Sequence, residues 1–398
     1  MSMWNYIAGC CRRYSLVPAL VLISGCASTQ PAAHQAHPAA AHPAAAPVSL
    51  PIQATPSVNL GTLSDLEGII PGLADKRVVF VGETHTRYEH HLIQLEIIQR
   101  LHKIDPELAI GLEFFQQPFQ EYLDRYVAGE LSEQELLQGT EYYRRWRYDY
   151  RLYAPILRYA REHKLPLVAL NLPMEVTRKA GRLGLDKLSA EERKYVPRTI
   201  DYSDRDYEQR IREIFDQHPG SGQGFANFLL VQLLWDEGMA ERAASWLIAH
   251  PDYRMVILAG SGHLAFGSGI PQRLTRRLPV SSAIVLNNRD DSLVSGLADF
   301  LLLPQQRSLP PAGKFGALLE HDDAALSVSS CLPDSPCEAA GIRQGDRLVS
   351  IDGTPVADMA DLRLATWDKE PGDVVIMKLR RKRWLSSPQE LTFELELQ

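Results

Sequence analysis

Cysteine is scarce in this chain, with five in 398 residues, and no group of cysteines and histidines stands at structural-zinc spacing. The H-E-x-x-H arrangement, which by itself would fix a catalytic zinc on one helix face, is also absent. Excess positive charge is missing too: 42 Lys and Arg against 49 Asp and Glu leave a net charge of −7. The basic residues are scattered except in two places, so nothing calls for nucleic acid as a partner. Beyond the N-terminus no apolar run is long enough to span a bilayer, and no internal repeat is present.

What is there begins with Arg12 and Arg13, followed by an apolar run from Leu16 to Ile23 that ends in Ile23-Ser24-Gly25-Cys26. A stretch this short with basic flanks reads as a secretory signal over residues 1–26, and small residues before a cysteine suit lipoprotein processing. Cys26 is therefore the expected lipidation site, and the membrane a partner through that anchor. Residues 27–60 are rich in Ala, Pro and His and hold too few large apolar side chains to build a core, which predicts a linker. Ala27, not Asp, follows Cys26, which in enteric-type sorting favours the outer membrane. The expected location is thus the bacterial cell envelope. Cys10 and Cys11 leave with the signal, so Cys331 and Cys337 remain, and in an oxidising compartment their close spacing predicts a disulfide.

From 61 to 305 the pattern predicts an α/β domain with a mostly parallel sheet flanked by helices. Short apolar runs (77–82, 108–115, 165–172, 254–259 and 283–287) have the character of strands buried on both faces. Amphipathic segments separate them. One is a helix with the stripe Leu92, Leu95 and Ile98 beside Ile93, Ile97 and Leu101, and another spans 229–248. The polar residues that interrupt these runs fall at strand C-terminal ends: Glu83 and His85 after the first, Glu113 in the second, Asn171 ending the third, Ser261 and His263 after the fourth. In open α/β sheets that edge is where ligands bind, and an unpartnered carboxylate in an apolar strand, as Glu113 would be, is costly.

Two of these segments, Gly82-Glu83-Thr84-His85 and Gly260-Ser261-Gly262-His263, are Gly-x-x-His directly after a strand. Together with Leu112-Glu113-Phe114-Phe115, a Trp/Tyr-rich segment, Ala169-Leu170-Asn171-Leu172-Pro173 and Leu234-Trp235-Asp236-Glu237-Gly238-Met239-Ala240-Glu241, they resemble the ChaN-like haem-binding lipoproteins of the Tiki/TraB/erythromycin-esterase-like superfamily. The resemblance covers roughly residues 62 to 300. It implies haem binding and uptake, with iron held by a tyrosine. No C-x-x-C-H is present, so haem would be held non-covalently. Residues 142–159 interleave tyrosines and Trp146 with arginines, among them Arg147, whose guanidinium suits a haem propionate. Tyr153 is the preferred iron ligand, with Tyr150 and Tyr148 as competitors, and His85, His263, Glu113 and Asn171 complete the expected cofactor site. The alternative is a metal-dependent hydrolase in which His85, His263, Glu83 and Glu113 ligate a divalent metal. Asp236 and Glu237, which interrupt an apolar helix, are further ligands in that reading or buried partners of an arginine such as Arg178. A flat cofactor at a sheet edge would gain burial from a second copy, so a homodimer is the expected assembly.

After a Pro-rich break, residues 312–398 carry a second pattern. The string from Ser335-Pro336 through Ala339-Ala340-Gly341-Ile342 and Gly345-Asp346 to Ile351-Asp352-Gly353 resembles a bacterial PDZ domain, small and β-rich. Ser335-Pro336 opens a short helix, Gly341 ends it, and 359–365 is the second helix. The resemblance implies a groove that takes an extended C-terminal peptide of an envelope protein by strand addition, with backbone amides near Phe315, Gly316 and Ala317 receiving its carboxylate. No Gly-x-Ser-x-Gly or Gly-Asn-Ser-Gly signature accompanies it, which argues against a PDZ protease.

Overall fold

The computed structural model describes residues 63–217, 224–287, 293–322, 325–383 and 387–398; the expected signal, Cys26 and the linker lie outside them. Helix α1 (Leu66–Ala74) precedes strand β1 (Val78–Glu83), then α2 (Tyr88–Ile104) and β2 (Leu108–Gln116). Short helices α3 (Gln120–Ala128), α4 (Glu133–Gly139), α5 (Tyr142–Arg145) and α6 (Ala154–His163) lead to β3 (Leu167–Asn171). Helices α7 (Met174–Leu183), α8 (Ala190–Arg193), α9 (Arg205–Asp216) and α10 (Phe225–Ala249) lead to β4 (Arg254–Gly260), and α11 (Ile270–Arg277), β5 (Ser282–Asn287) and β6 (Phe300–Leu302) close the sheet.

All six strands run parallel in the order β3-β2-β4-β1-β5-β6. Every residue of β1, β2 and β3 is buried, because helices cover both faces and continuous apolar runs are what such strands require. The chain leaves β1 towards β2 on one side, whereas it leaves β4 towards β5 on the other. Neighbouring strands whose connections part in opposite directions open a crevice at their C-terminal ends. β1 and β4 are that pair, with Glu83 opposite Gly260 in the register. The third residue of the edge strand β6, Leu302, stands at the start of the Pro-rich break, and a three-residue strand is too short to show a period of two.

Helix α2 corrects the expected stripe. Its buried face is His90, His91, Gln94, Ile97, Ile98 and Leu101, while Leu92, Ile93 and Leu95 are only half-buried. The N-terminal half of the buried face is polar because it backs onto the turn that follows β1. Thr84 N donates to His90 Nδ1 at 3.0 Å, His91 Nε2 pairs with the carbonyl of His85 at 3.2 Å, and Gln94 Nε2 donates to the carbonyl of Val81 at 3.0 Å. Burial pushes the His90 pKa down to about 4, which keeps the ring neutral and able to accept the Thr84 N–H. The aromatic- and arginine-rich segment 142–159 is broken: α5 and α6 are separated by Trp146 to Tyr153, and Arg147 stands at a left-handed φ of 75°.

The C-terminal part is built on an antiparallel sheet with two short helices, as the small β-rich domain expected there requires. It comprises β7 (Ala317–Asp322), β8 (Ala325–Cys331), α12 (Pro336–Ala339), β9 (Arg347–Ile351), β10 (Thr354–Pro355), α13 (Met359–Thr366), β11 (Val374–Arg381) and β12 (Gln389–Glu396). The order is β12-β11-β9-β8-β7, with β10 on β9, so β7 forms one edge. Ser335 caps α12 by accepting from Glu338 N at 3.3 Å; Asp358 caps α13 by accepting from Ala360 N and Asp361 N. Leu326, Val328, Ile351, Val375 and Met377 form the core of this part. Cys331 and Cys337 are joined, with Cα atoms 5.5 Å apart, and tie the end of β8 to α12. Cys337 N donates to the carbonyl of Phe315 at 2.9 Å and Leu332 N to that of Gly316 at 2.8 Å, so the same two elements hold the Phe315-Gly316-Ala317 loop. Gly316 there has φ 72°, and a Cβ on it would lie 2.3 Å from the Ser335 Cβ.

Candidate haem site at the β1–β4 edge

Strand ends and helices converge on the crevice. β1 ends in Glu83, which is 4% exposed, and His85 follows in the turn, its Nδ1 2.5 Å from Glu83 Oε1. Burial opposes charge on this imidazole, yet Glu83 and then Glu113 hold its pKa above the ordinary histidine value. Glu113 answers the question raised by a carboxylate in an apolar strand: its Oε2 accepts from Gly260 N at 2.6 Å and its Oε1 lies 3.5 Å from His263 Nε2. β2 and β4 are thereby tied at their C-terminal ends by a side chain instead of by ladder hydrogen bonds.

His263 is held from behind. Its Nδ1 is 2.6 Å from Asp236 Oδ1, and Asp236 Oδ2 accepts from the Tyr207 hydroxyl at 2.6 Å. Burial again works against the charge, but Asp236 and then Glu113 raise the His263 pKa to about 9. Helix α10 sets Asp236 at that distance, and the neighbouring Glu237 locks the helix. Glu237 is fully buried and lies 2.6 Å from Arg277, 2.8 Å from Arg276 and 3.2 Å from Arg273. Its arginine partners come from α11 and not from Arg178, correcting that expectation; charges at consecutive positions of one helix point away from each other, so Asp236 and Glu237 serve different neighbours.

Asn171 is in the crevice wall, but both ends of its amide serve backbone: Nδ2 donates to the carbonyl of Glu113 at 3.0 Å and Oδ1 accepts from Leu172 N at 2.9 Å. Tyr153 and Tyr150 lie inside the domain and are wholly buried. The Tyr153 hydroxyl accepts from Trp146 Nε1 at 3.1 Å, its ring packs on Phe114 and His91, and burial raises its pKa well above the usual phenol value. Tyr150 donates to Glu133 Oε1 at 2.9 Å. Tyr148 differs. It is half-buried, its ring lies 4.7 Å from that of His85, and its hydroxyl makes no hydrogen bond among the described residues. Trp146 meets the His85 ring edge-on at 4.8 Å, and the Trp146 and Tyr148 rings lie 5.5 Å from each other, so the three rings form one cluster. Burial, then Glu83 and Glu113, push the Tyr148 pKa up to about 12.

Sequence reasoning missed the polar face of α2 and the Tyr207 relay. His90-His91 so soon after Gly-x-x-His was the available signal for the first. For the second there was none, since Tyr207 meets Asp236 only through the packing of α9 on α10.

The family model for haem-binding uptake proteins of the Tiki superfamily, ChaN, matches residues 69–274, and a PDZ domain model matches 313–395. The chain belongs to the ChaN-like haem-binding uptake family. Among solved structures it is similar to ChaN of Campylobacter jejuni, described as binding heme cofacially, at 18% identity and a TM-score of 0.49, covering 61% of this chain and 92% of that one. The HtrA3 PDZ domain bound to a phage-derived ligand is similar over 22% of this chain and 85% of its own, at 21% identity and a TM-score of 0.18. Protein RETICULATA-RELATED 5, chloroplastic, of Arabidopsis thaliana is 24% identical over 252 residues, which are 54% of this chain. The chain spans 31% of the length of that curated relative.

Family membership makes haem the group to test against these residues. Three buried or half-buried polar atoms at the crevice have no hydrogen-bond partner among the described residues: Glu83 Oε2, Ser261 Oγ and Asn287 Oδ1, at the ends of β1, β4 and β5. Orphaned polar atoms converging on one edge are the mark of a site completed by something else. Beside them stand a free phenol, aromatic faces and the exposed Arg147. This set fits a ferric tetrapyrrole with acidic substituents.

Proposed function

We propose that this protein is a lipid-anchored member of the bacterial envelope, held through Cys26 at the outer membrane, that binds haem non-covalently in haem and iron uptake or handling. Tyr148 is the iron ligand in this reading. The observation that carries it is the Tyr148 hydroxyl, half-exposed and unpartnered at the crevice mouth against His85. Tyr153 and Tyr150, preferred on sequence grounds, would have to give up buried hydrogen bonds first, at about 1–3 kcal/mol each. When bound, ferric haem would supply the Lewis acidity that favours the phenolate of Tyr148 over its phenol. The chain's part is to hold the site in shape: Trp146 and Tyr148 pack on His85 and on each other, and Glu83 fixes the imidazole through Nδ1. His263, kept charged by Asp236, presents a cation towards the crevice. A second copy of the chain would cover the open face, and the PDZ domain would take the C-terminal peptide of an envelope protein along β7, with Phe315, Gly316 and Ala317 at its carboxylate.

The second reading is a divalent-metal site for hydrolysis, supported by one observation. Glu83, His85 and Glu113 each offer a ligand atom, and these atoms all lie within 4.8 Å of one another. His263, expected as a fourth ligand, is not one of the three; Asp236 holds its Nδ1, and its Nε2 lies 3.5 Å from Glu113 Oε1. Haemin titration of the purified chain beside elemental analysis separates the two readings. Saturable haem binding without stoichiometric metal is the expected result; stoichiometric metal without haem binding would favour the hydrolase.

A further inference from the structure

The PDZ domain does not simply follow the α/β domain in the chain; its helix α13 is seated against the segment that presents Tyr148. Arg144, in α5, lies 3.0 Å from Asp358 and 2.7 Å from Asp361. Trp367 Nε1 donates to Gln134 Oε1 at 2.7 Å, and its indole stands edge-on to Tyr150 at 5.2 Å. Arg363 Nη1 donates to the carbonyl of Arg147 at 2.6 Å. Between these contacts a cleft of about 330 Å³ remains, with Tyr143, Arg147 and Tyr148 on one wall and Arg363 and Trp367 on the other.

The charge in this cleft is unbalanced. Arg151, also at its rim, is neutralised by Asp149 at 2.6 Å. Arg147 and Arg363 are both exposed and have no carboxylate within ion-pair distance among the described residues. Arg147 also keeps a left-handed φ of 75°, a conformation a long side chain adopts only where its surroundings impose it. Two like charges held on facing walls, flanked by aromatic rings, are complementary to a flat ligand with two carboxylates on one edge.

We propose that this junction cleft holds the propionate edge of haem, with Arg147 and Arg363 as its two cationic contacts, so that the PDZ domain supplies part of the haem site. This rests on the haem reading above. Tyr148 lines the cleft and touches His85, so a ring ligated at Tyr148 can extend its acidic edge between the two arginines. Trp367, fixed by Gln134, lines the same cleft and would give that edge an apolar neighbour.

The test uses the full chain, titrated with haemin and with haemin dimethyl ester, which keeps the ring and iron and removes both carboxylates. The wild type is expected to bind haemin more tightly than the ester. Arg363→Gln, and separately Arg147→Asn, which tolerates the positive φ, should each weaken haemin binding about tenfold, the worth of one charge-assisted hydrogen bond, and leave ester binding unchanged. Equal weakening of both ligands would mean that Arg363 only braces the Arg147 backbone, and would overturn the proposal, as would unchanged haemin binding in both variants. A wild type that binds neither ligand would instead refute the haem reading, and this proposal with it.

Discussion

Glutamine in place of Glu237 should destabilise the α/β domain by about 3–5 kcal/mol, the range for removing one partner of a buried ion pair. The magnitude follows from who is left behind. Arg276 keeps Asp201 at 2.6 Å and is partly solvated, and Arg277 keeps Glu241 at 3.5 Å. Arg273 has neither resource: its side chain is 2% exposed, Glu237 is its sole carboxylate partner among the described residues, and its other contacts are the carbonyls of Ser268 and Gly269 and the Tyr207 ring. Glu237→Gln keeps the shape and strands that guanidinium. The cost is a large fraction of the 5–15 kcal/mol that separates a typical folded domain from its unfolded chain. Urea unfolding followed by far-UV circular dichroism reads mainly the α/β domain, because α12 and α13 are short. With a slope of about 2–3 kcal/mol per M, the midpoint should fall by roughly 1.5 M. A second consequence is positional: α10 should shift, moving Asp236 away from His263. A midpoint change under about 0.3 M would refute the idea that Glu237 balances Arg273.

Asp346 is buried and meets Arg381 through two bonds of 2.7 and 2.6 Å; burial opposes its charge, but Arg381 and the Arg343 amide hold its pKa below the ordinary aspartate value. Its stabilisation is therefore complete above the unfolded pKa near 3.9 and lost as pH falls through the lower folded value. Asp346→Asn should cost the PDZ domain about 2–3 kcal/mol at neutral pH and flatten its stability profile below about pH 4, as read by thermal unfolding across pH; an unchanged profile would contradict the assignment. Cys26→Ser should release the protein from membranes on fractionation, and complete retention in the membrane pellet would exclude the lipid anchor.

Much of the α/β domain was legible because strands buried on both faces leave continuous apolar runs, and the polar residues that break them, Glu83, Glu113 and the two Gly-x-x-His histidines, do sit at one edge. The PDZ domain was legible because its turns demand particular residues: Ser335 at a helix cap, Gly341 at φ 73°, Gly345 at φ 84°. What periodicity cannot carry is which face of α2 turns inward, since a helix that backs onto a functional turn buries His90, His91 and Gln94 in place of leucines. Nor does spacing tell apart Tyr148, Tyr150 and Tyr153, which lie within six residues. Their exposure follows the break between α5 and α6, which contains a left-handed Arg147 whose carbonyl accepts from Arg363 of α13, more than two hundred positions away.

Tyr148→Phe tests the central claim most directly, because it keeps the ring against His85 and deletes the one oxygen offered to iron. Haemin added to the wild-type chain should give a saturable spectrum with a tyrosinate charge-transfer band. That band should vanish in Tyr148→Phe and persist in Tyr153→Phe. Persistence of the band in Tyr148→Phe, or its absence from the wild type, would contradict the account.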